Sequence, residues 1–167
     1  MGISKYWFTS KDSPCGSENN IRFYPTGDYI GCAGWHVFTD TPSSAAKLDH
    51  ILDGLKDGYY SSPETVADQT YYNFTGGTVA SAYPEMRALY NHRKGPDGNW
   101  LVHIPVYDKD DCSNPHEVIK IVGFATARIY KVDNLEMWAH VECKIVPWGQ
   151  GGGPYYGTAV GAGAVIE

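Results

Sequence analysis

The four cysteines, Cys15, Cys32, Cys112 and Cys143, are the residues whose type and spacing offer this chain the most chemistry. They form an even set with no C-x-x-C pair, which departs from zinc-ribbon and thioredoxin-type spacing and makes disulfides the first expectation. Four cysteines allow three connectivities, and closing the shorter loops first joins Cys15 to Cys32 and Cys112 to Cys143. Histidines supply a second reading. Cys32 with His36, Cys112 with His116, and His140 with Cys143 offer thiolate and imidazole ligands for a tetrahedral Zn²⁺. The spacing follows no common finger pattern, so a zinc-dependent enzyme is kept only as an alternative.

Asp108, Asp110 and Asp111, with Asn114 close behind, concentrate oxygen ligands in one loop, as a Ca²⁺ site would. An EF-hand needs Asp or Asn where Cys112 stands, then Gly, so the expectation is a solvated acidic turn with at most a loose Ca²⁺ site. The run Gly149-Gln150-Gly151-Gly152-Gly153-Pro154 lacks the Gly-Lys-Ser/Thr of a phosphate loop, and Pro154 occupies the place of the last dinucleotide-loop glycine. There is no G-x-S-x-G elbow and no H-E-x-x-H, and Glu64, Glu85, Glu117, Glu136 and Glu142 sit in no paired-carboxylate pattern. The expectation is a protein that is not an enzyme and carries no cofactor.

The elements that must position these residues begin with length and composition. A chain of 167 residues suits one domain, and its 13 Tyr, 5 Trp and 5 Phe within a 43% hydrophobic composition exclude a disordered tail or a collagen-like fibre. Its net charge of −6 gives no global attraction to nucleic acid or to an anionic membrane. No apolar run approaches the roughly 18 residues of a membrane helix. Residues 1–9 lack a basic region followed by an apolar core. The cysteines and the Tyr-, Gly- and Ser-rich composition point to an extracytoplasmic protein whose export segment has been removed, against a cytoplasmic protein with reduced thiols.

Residues 1–40 read as loop with short strands, 41–94 as a helical part, 99–147 as the main β-sheet and 148–167 as a Gly-rich tail. Thr41-Pro42 supplies an N-cap with Pro at the first helical position, and Leu48, Ile51, Leu52 and Leu55 form an apolar stripe ended by Gly58. Ala82, Met86 and Leu89 mark a second helix near residues 79–92, stopped by Gly95-Pro96-Asp97-Gly98. The period then changes to two. Trp100 to Tyr107 is a strand that Pro105 assigns to an edge or bulge, and Val118 to Val132 is apolar on both parities and therefore central. In the third strand Met137, Ala139, Val141, Cys143 and Ile145 face a core while Trp138 and His140 face out. The short link after Val132 makes the second and third strands an antiparallel pair. The predicted fold class is α+β: an antiparallel sheet, two helices in the N-terminal half, loop-rich ends and disulfides.

Aromatic residues serve protein interfaces and carbohydrate binding alike. The pairs Tyr59-Tyr60, Tyr71-Tyr72 and Tyr155-Tyr156 would each turn one ring outward within a strand, and Asn73-Phe74-Thr75 fits a glycosylation sequon. The predicted contact residues are Trp138, His140, Trp148, Tyr155 and Tyr156. A secreted glycan-binding module using exposed Tyr and Trp beside a Ca²⁺ site is the first alternative.

Four stretches in order carry a resemblance: Gly31-Cys32-Ala33-Gly34-Trp35, Ile104-Pro105-Val106-Tyr107-Asp108, Ile121-Val122-Gly123-Phe124-Ala125, and Val141-Glu142-Cys143 leading to Tyr156-Gly157-Thr158. Across roughly residues 30 to 158 the chain resembles the extracytoplasmic C-terminal region of bacterial TadE- or TadG-like proteins of Flp (tight-adherence) pilus assembly. Such proteins typically carry an N-terminal membrane helix, which this sequence lacks. The resemblance implies an accessory or minor component of a pilus or adhesion apparatus, with other pilus or envelope proteins as partners and no transferable catalytic residue.

Overall fold

The computed structural model describes residues 1–9, 20–23, 32–42, 44–75, 79–113, 115–133, 136–142, 144–146 and 158–160. They form β1 (Gly2–Ser4), α1 (Tyr6–Thr9), β2 (Asn20–Phe23), β3 (Ala33–His36), α2 (Ala45–Asp57), β4 (Tyr71–Thr75), α3 (Ala82–Arg93), β5 (Trp100–Tyr107), β6 (Val118–Val132), β7 (Met137–Glu142), β8 (Lys144–Val146) and β9 (Thr158–Val160). The fold is mixed, with a mostly antiparallel sheet, and both helices expected from apolar spacing are present.

Helix α2 buries Leu48, Ile51 and Leu52, half-buries Leu55, and ends on Gly58 at φ 84. Its N-cap is Ser44 rather than Thr41. The Ser44 hydroxyl accepts from the Lys47 amide at 3.3 Å, so Pro42 stays outside the helix. Helix α3 begins at Ala82, which puts Pro84 in the first turn, where the missing N–H has no intrahelical acceptor to lose. The turn after α3 closes with the Gly98 amide donating to the Gly95 carbonyl at 2.9 Å, Gly98 taking φ 76.

The sheet draws on more of the chain than the segment 99–147. Its seven strands run β2-β7-β6-β4-β3-β1-β5, and β5 pairs again with β6. Five strands therefore close a ring, β6-β4-β3-β1-β5, antiparallel throughout except for β1 beside β5. The tail, expected to be irregular, contributes β9, which lies parallel to β8 in a separate two-stranded sheet.

Strand β6 is central, as its apolar composition requires: β5 lies along it from Ile121 to Ile129, β4 covers residues 118–120, and β7 covers 126–132. Its double parity has a geometric cause. Val106 pairs with Gly123 and Tyr107 with Ile121, so Val122 is inserted as a bulge and the side-chain alternation reverses there. Ile119 and Ile121 consequently pack into a small core with Tyr72, Phe74 and Tyr107. Ala125, Ala127 and Ile129 pack into a larger core with α2 and α3.

Candidate functional site

The outward face of β6 and β7 is the first candidate. Met137, Ala139 and Val141 are fully buried, which leaves Trp138 and His140 half-buried on the opposite face as the alternation predicts. The His140 ring stacks on Tyr130 with centroids 4.5 Å apart, and its Nδ1 is buried without a hydrogen-bond partner. Trp138 Nε1 donates to Glu136 at 3.1 Å. These side chains make a small aromatic platform. Trp148, Tyr155, Tyr156, Cys15, Cys143 and Asn114 lie outside the described residues.

Cys32 is bonded to Cys112 across a sequence separation of 80 residues, which corrects the expected pairing of Cys15 with Cys32 and of Cys112 with Cys143. The sheet explains it. The Ser4 amide donates to the Cys32 carbonyl at 2.6 Å, and Ser4 is paired in turn with Tyr107, five residues before Cys112, so β1 bridges the two cysteine-bearing segments. Neither sulfur in this bridge is a thiolate. His36 is committed elsewhere, stacked on Tyr72 at 4.8 Å, and no cluster of three metal-ligating side chains occurs among the described residues.

The acidic loop is organised by lysines. Lys5 Nζ lies 2.6 Å from Asp108 and 2.9 Å from Asp110, and Lys109 lies 3.5 Å from both Asp111 and Glu117. Asp111 also accepts from the Ser113 hydroxyl at 2.7 Å and the Ser113 amide at 3.0 Å, bonds that hold its carboxyl below the usual carboxylate range. Each carboxylate thus answers to a cation or a turn of its own chain. The loop joins β1 to the end of β5 beside the Cys32–Cys112 bridge.

A cavity of about 800 Å³, of ligand-pocket size, lies between α2, α3 and β5. Leu52, Leu55, Met86 and Trp100 are among its apolar walls, and residues 62–65 complete the lining. Sequence reasoning missed it, because its walls come from elements far apart in the chain and each reads locally as ordinary core. His36, buried to 1% exposure, lines it too. The Phe38 amide donates to His36 Nδ1 at 3.4 Å, so the neutral ring with its proton on Nε2 donates to the Met1 carbonyl at 3.1 Å. Burial holds its pKa well below 6.5. Phe38, at φ 60, folds its ring edge-on to His36 at 4.6 Å.

The chain matches no family model, no curated protein and no solved structure. No helix among the described residues is long and apolar enough to cross a membrane.

Proposed function

We propose that this chain is an exported, non-enzymatic accessory or minor component of a bacterial Flp/Tad-type pilus or adhesion apparatus, working through contacts with other pilus or envelope proteins. The observation that carries the extracytoplasmic half of this reading is the Cys32–Cys112 bridge, because such bonds persist where thiols are not kept reduced. The apparatus itself is inferred from the sequence resemblance. The contact half rests on the platform of Trp138, His140 and Tyr130, which sets aromatic surface on the antiparallel β6–β7 pair, as interface anchors do.

The test is a photo-crosslinking amino acid at position 138 in cells that assemble Flp-type pili, with a control at Asp57 on helix α2. A light-dependent adduct containing a pilus or Tad-apparatus protein, formed from position 138 and not from 57, supports the proposal. No adduct, or one with unrelated proteins only, removes it. Intact mass after alkylation without reduction checks the compartment separately: Cys32 and Cys112 unmodified in material from the envelope, and alkylated only after reduction.

A further inference from the structure

Strand β5 is served unequally along its two edges. On one, β6 pairs with it from Trp100 to Tyr107; on the other, β1 reaches only Val106 and Tyr107. The Tyr107 carbonyl accepts from the Lys5 amide at 3.0 Å, which fixes residue 107 toward β1. Alternation then turns Pro105, His103 and Leu101 to the same edge. A Cβ on Gly2 would meet the Pro105 carbonyl oxygen at 2.8 Å, which agrees with that orientation. Pro105 has no N–H to satisfy. The backbone groups of Leu101 and His103 therefore face an edge that no strand covers among the described residues.

The cavity lies along this same stretch and wraps around it. Val102 and Ile104 line it from one face of β5, His103 and Pro105 from the other. A compact small molecule in the pocket would fill space but leave the backbone edge unpaired, whereas an added strand pairs with the edge and sends alternate side chains to both faces. The described lining is mostly apolar and holds no lysine or arginine, so an acidic residue in an occupant would find no cation to pair it while apolar side chains would be buried.

We propose that the open edge of β5 at Leu101–His103 takes an extended, apolar and non-acidic peptide segment of a partner protein, added in line with β1 and seating alternate side chains in the adjoining cavity. This rests on the reading of the chain as one that works by protein contact, but it uses a surface separate from Trp138 and His140. Loss of one leaves the other standing.

The experiment is residue-resolved amide hydrogen exchange on the oxidised protein, alone and with peptides selected on it from a displayed library of random 12-mers. Alone, the Leu101 and His103 amides exchange fast while the neighbouring amides bonded to β6 are slow. A selected peptide slows both by at least tenfold. His103→Pro, which removes an edge donor that β6 does not use, and Leu55→Trp, which fills the cavity from a half-buried position, each weaken binding at least tenfold. Unchanged protection in β6 shows that both variants are folded.

Slow exchange at Leu101 and His103 in the free protein would mean that the chain's own residues occupy the edge, and the proposal falls. It falls equally if selected peptides protect other amides. Stoichiometric binding of the neutral dye N-phenyl-1-naphthylamine, lost in Leu55→Trp while no peptide protects the edge, would identify a small-molecule pocket instead. The position-138 crosslink is read independently, so failure here and failure of the contact reading are distinguishable.

Discussion

The two cores of this molecule are built by different means. The larger one is filled mainly by the stripes of α2 and α3 against β5, β6 and β7, with Ile3, Trp7, Cys32, Trp35 and Val37 joining from the start of the chain. The smaller one, inside the ring, is largely aromatic; β5 and β6 wall one side of it, and β1, β3 and β4, strands of three to five residues from distant parts of the chain, close the other. Gly2 pairs with Gly34, and a Cβ on either would meet the Phe74 ring within 3.1 Å, so the absence of side chains there lets Phe74 pack onto the backbone. Short strands supply few ladder bonds. The ring is therefore fastened by added ties at the end of β1: the Cys32–Cys112 bridge, which packs with the larger core, and the lysine pairs beside it. Local sequence explains one region, long-range fastening the other.

The largest effect should come from emptying the ring. Phe74 is fully buried, and Phe74→Ala is expected to cost about 3–5 kcal/mol in denaturant unfolding, comparable to Leu89→Ala in the larger core at about 2–5 kcal/mol. A loss below about 1 kcal/mol for Phe74→Ala would mean that the ring has no core of its own. Next is the bridge. Replacing Cys32 and Cys112 with Ser together is expected to cost about 2–4 kcal/mol, since the bond closes a long loop in the unfolded chain. That loss should appear in the ring. Native-state hydrogen exchange should accelerate in β1 and β3 while the amides of α2 and α3 stay protected until global unfolding. Uniform acceleration would merge the two regions into one cooperative unit.

The same contrast governs what the sequence disclosed. The apolar stripe of α2, the alternation of β7 and the double parity of β6 were all legible, because each is written within one element and enforced by burial on one side or both. Tyr71 and Tyr72 also divide as a strand pair must, one 52% exposed and the other 3%. The ring was not legible. Gly2–Ser4 is too short to show a period, and its partners in β3 and β5 are set by contacts that span much of the chain. The cysteine pairing failed for the same reason, since preferring short loops ignores that β1 draws Cys32 toward the end of β5. Of the candidate site, Trp138 and His140 could be read from alternation. The edge position of β5 was legible too, from Pro105, although the stretch left open is set by where β1 stops; the cavity was not, because its walls come from α2, α3, β5 and residues 62–65.

Acid should act through His36, which stands where the ring meets the cavity. Its pKa is held well below 6.5 in the folded protein by burial, so below about pH 6.5 the unfolded chain binds a proton that the folded one does not. Stability from this group is complete above that pH and is lost as pH falls, by up to about 1.4 kcal/mol for each pH unit. Protonation would also set an Nδ1–H against the Phe38 amide that now donates to it. Thermal melts from pH 7.5 to 5 should show this slope in the parent protein and a reduced slope in His36→Leu. An equal slope in both would place the acid-sensitive group elsewhere.

The smallest effect should be that of Lys5, which reaches Asp108 at 2.6 Å and Asp110 at 2.9 Å. The pairs raise the lysine pKa, yet the Asp110 side chain is 90% exposed, and water screens such a contact. Lys5→Met is expected to lower stability by under about 1 kcal/mol, a difference that shrinks as salt is raised, and Asp110→Asn should change still less. The Lys5 backbone keeps its bond to the Tyr107 carbonyl in that variant, so the line of β1 beside β5 survives without the charge. Denaturant unfolding of Lys5→Met at low and high salt decides the point. If the substitution costs as much as removing the bridge, electrostatic pairing would be closing the ring alongside the covalent bond, and the contrast between the two cores would need a different cause.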